Sequence, residues 1–249
     1  MRWSCGERGA ESRGLSELDS VRPDIQILNC RSNSANGVRL MPDGDTQLKS
    51  SRRVREKRER RRAEILHAAL RAFRDKGYHA TTLDDIAEHL GLRKTALYHY
   101  FSDKEAILYE CHCESLAELD RLMRDARKRF DSDAERLGYV IREHVRVMTE
   151  TLEGSPLAFE VTALSLERQA EIIAARDRYE RGLRRIIESG IKRGEFRRVN
   201  SKIAVFAILG SINWIARWYR PEGSIHAPEL GSEFADHLVG GLACEPRGQ

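Results

Sequence analysis

The sequence predicts an all-α protein, and three observations support this. From Ser51 onward, apolar residues recur at spacings of three and four, which is the period of an amphipathic helix. The strict alternation of apolar and polar residues that is typical of half-buried strands is absent. Glycine and proline residues divide the apolar pattern into segments of helical length. We therefore expect about nine helices and no sheet.

The first 50 residues differ from the rest of the chain. Residues 1–50 are rich in Ser, Gly, Asn and Arg, and their few apolar residues are scattered. Pro23, Gly37, Pro42 and Gly44 interrupt any regular period. Such a segment cannot bury enough apolar surface to offset the entropy lost on ordering. We predict a disordered N-terminal extension over residues 1–50.

Glycine and capping residues delimit the first three predicted helices. The first covers Val54–Lys76 and ends at Gly77, which suits a helix C-cap. The second is short, with Thr82 as its N-cap, and Gly91 ends it. The third follows at once, over about Arg93–Phe101. The buried face of the first two helices is predicted at Ile65, Ala69, Ala72, Phe73, Leu83, Ile86, Ala87 and Leu90.

A capping box is predicted at the start of the fourth helix. Ser102 would cap it, while the Glu105 carboxylate would reach back to the backbone, and the helix would extend to about Phe130. The remaining helices are predicted at 133–152, from Pro156 onward, at 170–193, at 201–219 and from about Pro228 onward.

The second and third helices together predict a helix-turn-helix. Ala87 is small enough for the close helix crossing, Gly91 tolerates the left-handed backbone of the turn, and Leu97 would pack beneath the pair. With these residues inward, a polar set faces outward on the third helix. A helix of this kind fits the major groove, where such side chains reach base edges. The outward residues are Arg93, Lys94, Thr95, Tyr98 and His99.

Phosphate contacts are predicted on either side of that helix. Thr81 and Thr82, at the N-terminus of the second helix, and Lys104, after the third, would hold the DNA backbone. For the third helix itself, the alternative is that Arg93, Lys94 and His99 only form a solvated face.

The positive charge of the chain is concentrated near this motif. The net charge is +4, yet 15 basic and 8 acidic residues lie between Lys49 and Lys104. A uniformly basic protein is therefore excluded, and a local polyanion-binding surface is favoured. We predict a basic arm that grips phosphates or reaches the minor groove, although a solvated helix end is the alternative. The arm residues are Arg52, Arg53, Arg55, Lys57 and Arg58.

The segments Thr81–Ala87, Gly91–Phe101 and Asp103–Glu105 together resemble the TetR family of transcriptional regulators. The resemblance implies an N-terminal three-helix DNA-binding domain with a helix-turn-helix over 51–110. It also implies a helical ligand-binding and dimerisation domain over 111–249. Members of this family act as homodimers, and an effector usually releases them from DNA.

A second, shorter resemblance concerns Trp214–Gly223. This stretch is similar to one in family members that respond to acyl-CoA-type ligands. Arg217 and Arg220 could then pair with phosphates, while Trp214 or Trp218 could stack on an adenine. The alternative is that the tryptophans belong to the core or a dimer interface, with the arginines on a solvated edge.

Several other classes of protein are not supported by the sequence. No apolar run approaches the roughly 20 residues of a membrane span, and residues 1–36 contain no secretory h-region. Five cysteines suggest a reducing, cytoplasmic compartment. Cys111-His112-Cys113 lies on a helix and cannot converge on one metal ion, so Cys111 is predicted as buried packing. We expect no cofactor, no metal and no enzymatic activity.

The predicted function is a ligand-released repressor, acting as a homodimer on a double-stranded, pseudo-palindromic operator. Its effector would be a small hydrophobic or acyl-CoA-like molecule. Two alternatives are a helical ligand-binding protein or enzyme without operator binding, and a non-specific DNA-binding protein. The dimer interface is predicted on the last two helices, at Ile208, Ile212, Ile215, Leu230, Phe234 and Leu238.

Overall fold

The computed structural model describes residues 44–151 and 160–244 of the chain. These residues form eight α-helices, and their only β pairing is a single bridge between Phe196 and Ala243. The all-α fold is thus confirmed. The helices are α1 (Gly44–Lys76), α2 (Leu83–His89), α3 (Lys94–Leu97), α4 (Lys104–Arg129), α5 (Asp133–Arg146), α6 (Leu166–Arg193), α7 (Ser201–Trp218) and α8 (Ala227–Gly240).

Helix α1 begins earlier than the sequence predicts. It starts at Gly44 instead of Val54, so residues 44–50 of the predicted disordered extension are helical. Ion pairs one turn apart support the polar stretch of α1 that follows, because each joins side chains on the same helix face. They are Arg52–Glu56, at 2.7 Å, and Arg55–Glu59, at 4.0 Å. Residues 1–43 of the extension lie outside the described residues.

Other predicted boundaries shift as well. Helix α3 is a single turn, and residues 98–100 continue it as a non-helical turn instead of reaching Phe101 in helical form. Helix α5 ends at Arg146 and is followed by a π-helical turn, Val147–Thr151. Helix α6 begins at Leu166, four residues before the predicted start. The predicted start of the next helix, at Pro156, lies outside the described residues.

The predicted capping box of α4 is wrong in its residues. The N-cap is Asp103, whose Oδ1 accepts a hydrogen bond from the Ala106 backbone N–H at 2.7 Å. The Glu105 carboxylate instead accepts from the Ser165 backbone N–H at 2.9 Å and from Arg168 at 3.1 Å. Ser165 and Arg168, at the start of α6, therefore bind the Glu105 carboxylate, which the predicted capping box would have paired with the backbone of its own helix.

Helix α4 connects the two parts of the fold. Its first turns pack on α1 through buried Ile107, Leu108 and Cys111, and its later turns pack on α5 and α6 through Leu119 and Leu122. The predicted domain boundary at 110/111 therefore falls inside one continuous helix.

Helices α5, α7 and α8 complete the C-terminal part. Helix α8 lies along α5 so closely that a side chain at Gly231 would approach the Arg142 carbonyl oxygen to 3.2 Å. Helix α7 contributes Val205 and Ile212 to the same core. Among the residues that the structure describes, no helix is both long and apolar enough to cross a bilayer.

Candidate nucleic-acid interface

The helix-turn-helix is built on a small apolar core. Ala87 and Leu97 are buried, as predicted, and they pack with Ile86 beneath α1. Gly91 has φ +61°, the left-handed conformation that the turn was predicted to need. The backbone N–H groups of the turn bond back to the last turn of α2, which fixes the angle at which α3 leaves it.

The N-terminus of α2 is held by a reciprocal cap. The Asp85 backbone N–H donates to the Thr82 hydroxyl at 3.2 Å, and the Thr82 N–H donates to the Asp85 carboxylate at 2.7 Å. Hydrogen bonds from Lys76 and then from Thr82 hold the pKa of Asp85 far below its ordinary value. Asp85 therefore stays ionised, and α2 is joined at its first turn to the end of α1.

The outward face of α3 and its following turn carries the five residues predicted for DNA. Arg93, Lys94, Thr95, Tyr98 and His99 are all exposed, and Tyr98 presents 52% of its surface. The ammonium of Lys94 is 2.9 Å from the Asp84 carboxylate. This face is polar and rich in donors, so it is chemically suited to base edges and phosphates.

Two predicted phosphate contacts have a structural role instead. Thr81 is 1% exposed, and its hydroxyl donates to the carbonyls of Ala72 and Gly77 at 3.1 and 2.8 Å. The Lys104 ammonium donates to the Tyr78 and Thr81 carbonyls, both at 2.7 Å, and lies over the Tyr78 ring. These side chains fasten the α1–α2 turn, so neither is offered to a DNA backbone.

Arg62 is a positioning residue that sequence reasoning missed. Its guanidinium donates to the Tyr100 carbonyl at 2.8 Å, lies 4.5 Å from the Phe101 ring centre and pairs with Glu110 at 3.2 Å. It thereby fastens the turn after α3 to α1 and α4. In the sequence it is one arginine within a basic run, and its partners are 38 or more residues away, so no local signal identifies it.

The basic arm lies in the first half of α1. All five predicted arm residues are exposed, and their acidic neighbours Glu56 and Glu59 lie on the same helix. The arm is therefore helical and continuous with the part of α1 that packs on α2 and α4.

The residues predicted to bind an acyl-CoA lie on and just after α7. Trp214 and Trp218 are 58% and 40% exposed, which excludes their assignment to the core of the protomer. Arg217 and Arg220 are also exposed. The two tryptophans continue an apolar stripe along one side of α7, composed of Ile203, Phe206, Gly210, Trp214 and Trp218.

Most of the residues predicted for the dimer interface instead face the core of their own protomer. Ile208, Ile212 and Ile215 on α7, and Leu230 on α8, are buried inside the protomer. Phe234 and Leu238 are only partly buried, and Leu238 lines an open groove with Ile203 and Ala207 of α7. Helix α7 is apolar on both sides, so its periodicity could not indicate which side faces the protomer core.

Comparison with family models supports this architecture. Residues 65–111 match the model of bacterial regulatory proteins of the tetR family. Residues 131–242 match the model of a tetracyclin repressor-like C-terminal domain.

Individual proteins are similar over most of the chain. The HTH-type transcriptional repressor KstR2 of Mycobacterium tuberculosis is 28% identical over 189 residues, which cover 74% of this chain and 94% of KstR2. The uncharacterized HTH-type transcriptional regulator YfiR of Bacillus subtilis is 30% identical over 151 residues, covering 59% of this chain and 73% of YfiR.

Solved structures show the same arrangement. The TetR family regulator PfmR of Thermus thermophilus is 36% identical, with a TM-score of 0.65, covering 72% of this chain and 99% of PfmR. AibR, in a complex with isovaleryl coenzyme A and operator DNA, is 26% identical, with a TM-score of 0.63, covering 73% of this chain and 98% of AibR.

Proposed function

This chain belongs to the TetR family of transcriptional regulators, and we propose that it is a ligand-released repressor that binds a pseudo-palindromic operator as a homodimer. The observation that carries the proposal is the exposed polar face of α3 on a capped and buried scaffold. Its relatives support the same function, because KstR2 is a transcriptional repressor and AibR was solved with operator DNA.

Base recognition is assigned to the start of α3. Arg93 and Lys94 would donate to guanine O6 and N7, and the hydroxyl and methyl of Thr95 would suit a thymine or a phosphate. Tyr98 and His99 lie one turn further along, where backbone phosphates are closer. Two such helices in a dimer would enter successive major grooves, roughly 34–36 Å apart.

The exposed stripe of α7 is our proposed dimer interface. Gly210 lies in its middle, and a side chain there would meet nothing within 4 Å inside the protomer. A mid-helix glycine lowers helix stability by about 1 kcal/mol relative to alanine, so the protomer alone gives no reason for it. A second copy of α7 that crosses closely at Gly210 supplies the reason, with Phe206 and Trp214 packing on either side.

An acyl-CoA or other lipid-derived molecule is the proposed effector. Isovaleryl coenzyme A in the AibR complex supports this class of ligand. Arg217 and Arg220 lie beside the two tryptophans at the end of α7, where they could pair with phosphates at the rim of the dimer interface. Effector binding would favour a dimer whose two α3 helices no longer match the groove spacing.

A gel-shift experiment tests the proposal. We expect the full chain to retain DNA from upstream of its own gene in preference to random DNA, and we expect acyl-CoAs to release it. Lys94→Ala and Tyr98→Ala should each weaken the specific shift by at least about tenfold, because each removes a contact from the recognition face.

Lys128→Ala is the matched control, since Lys128 is an exposed lysine near the far end of α4. It should leave the shift unchanged. Equal retention of upstream and random DNA would contradict the proposal and favour a non-specific DNA-binding protein.

A further inference from the structure

Helix α3, which carries the residues proposed to read the operator, is a single helical turn. Its N-cap, Arg93, makes no side-chain capping bond, and of its four residues Leu97 is the buried one. A helix of one turn gains too little from its own hydrogen bonds to be stable by itself. The direction of α3 therefore depends on what holds the chain before and after it.

The segments on either side of α3 are held differently. Before it, the Leu92 backbone N–H donates to the Ala87 carbonyl at 2.9 Å, so the turn is fastened to α2. After it, the Tyr100 backbone N–H donates to the Leu97 carbonyl at 2.8 Å, within the same segment. This local bond fixes the shape of the turn after α3 but not its position, so the position has to come from contacts with neighbouring helices.

Arg62 on α1 makes such a contact. Its Nη1 donates to the Tyr100 carbonyl at 2.8 Å, and its guanidinium carbon lies 4.5 Å from the centre of the Phe101 ring. Its Nη2 lies 3.2 Å from the Glu110 carboxylate of α4. One side chain thus joins α1, α4 and the turn that follows α3.

Arg62 differs in its surroundings from arginines earlier in the basic run. The side chains of Arg52 and Arg60 are 74% and 85% exposed and pair with glutamates of α1 itself, whereas that of Arg62 is 29% exposed. The Glu110 carboxylate offsets the charge of Arg62, and the Phe101 ring lies against its guanidinium. These surroundings suit a contact within the protein better than a contact with DNA.

We infer that Arg62 determines how well the protein distinguishes its operator from other DNA, as a positioning residue for α3 and not as a phosphate contact. The inference rests on the proposed function, in which α3 reads bases. Hydrogen bonds to base edges weaken steeply when the donor is misplaced, whereas attraction to phosphates falls slowly with distance. A displaced α3 would therefore lose operator binding much more than binding to random DNA.

A charge-preserving exchange gives the first test. Arg62→Lys keeps the positive charge but lacks the planar fork that binds the Tyr100 carbonyl and Glu110 together. Fluorescence anisotropy of the full chain with its own upstream DNA should show affinity at least about tenfold lower, the order of one lost base contact, with affinity for random DNA within about twofold of the wild type. Arg127→Lys, at an exposed position near the far end of α4, is the matched control and should change neither.

The salt dependence of binding to random DNA gives the second test. Arg62→Gln should leave the slope of log affinity against log salt at the wild-type value, because no phosphate contact is lost. Arg58→Gln, at an exposed position one turn earlier on α1, should lower the slope by about 0.9, the loss of one phosphate contact. A fall of about 0.9 in Arg62→Gln as well would make Arg62 a phosphate contact and overturn the inference.

Two outcomes of the first test would also overturn the inference. If Arg62→Lys loses affinity for both DNAs equally, Arg62 is a structural residue of the domain. If it keeps the wild-type preference for upstream DNA, α3 is positioned without it. A wild-type protein that binds both DNAs equally would contradict the proposed function itself and remove the inference with it, so the two failures are told apart by the wild type alone.

Discussion

At the scale of single residues, the recognition face is restrained by an ion pair. The Lys94 ammonium, 2.9 Å from the Asp84 carboxylate, has a raised pKa because of that hydrogen bond. Both side chains are largely exposed, so the pair adds little to stability. Its consequence is that Lys94 must leave Asp84 before it can contact a base or a phosphate.

Asp84→Asn should therefore strengthen DNA binding. The substitution removes a negative charge from the interface and releases Lys94, and we expect a severalfold gain in operator affinity that shrinks at high salt. Fluorescence anisotropy at two salt concentrations measures it. Glu88→Gln, an equal charge change at another exposed position of α2, is the control for charge alone. A gain no larger than that of the control would contradict a specific role for the Asp84–Lys94 pair.

At the scale of elements, α1 determines how the basic arm can act. A flexible arm could wrap into a minor groove, whereas the first half of α1 projects its arginines from a continuous helix. A helix projects these closely spaced arginines in several directions within about two turns, so at least some of them can contact phosphates of a DNA backbone beside it.

Arg53→Gln together with Arg58→Gln should reduce the salt dependence of binding. Each lost phosphate contact lowers the slope of log affinity against log salt by about 0.9, so the double variant should lose about 1.8. Operator binding measured between low and high salt gives the slope. Arg124→Gln with Arg127→Gln on α4 provides a control of equal charge, and a slope that stays at the wild-type value in the arm variant would eliminate the phosphate role.

At the scale of the whole molecule, two copies of α7 are expected to position the two α3 helices. The two α3 helices can keep a constant distance only if the two protomers are held together by a well-defined interface. We propose that this interface is the exposed stripe of α7 that contains Gly210. In the proposed mechanism this interface would also connect the effector to DNA, because a small rotation there would change the distance between the two α3 helices.

Gly210→Gln should leave the protomer folded and weaken the dimer. Glutamine favours a helix and meets no neighbour within the protomer, but it would obstruct a close crossing of two helices. Analytical ultracentrifugation should show a shift toward monomer, with a parallel loss of operator affinity. Ala174→Gln, at an exposed position of α6, should change neither property. A dimer that persists in Gly210→Gln with full affinity would place the interface elsewhere.

The local features of this protein follow from its sequence because their partners are close along the chain. The Thr82 hydroxyl caps α2 by accepting a hydrogen bond from the backbone N–H of Asp85, three residues further along the chain. Gly91 adopts the left-handed conformation, and Ala87 and Leu97 are buried. Each depends on helix geometry within about ten residues, and that geometry is encoded by residue type and spacing. The all-α class and the position of the helix-turn-helix were predictable on these grounds.

The roles that depend on distant partners were decided only by the tertiary structure. The sequence predicts Thr81 and Lys104 as phosphate contacts, but in the folded protein both bind backbone carbonyls in and beside the α1–α2 turn. It predicts Glu105 as part of a capping box, but the Glu105 carboxylate binds the Ser165 backbone N–H just before α6. Ile212 and Trp214 are equally apolar in the sequence, yet one is buried and the other exposed. The physical reason is that a side chain's burial and hydrogen bonds depend on which helices pack against it, whereas its sequence context specifies only the helix to which it belongs.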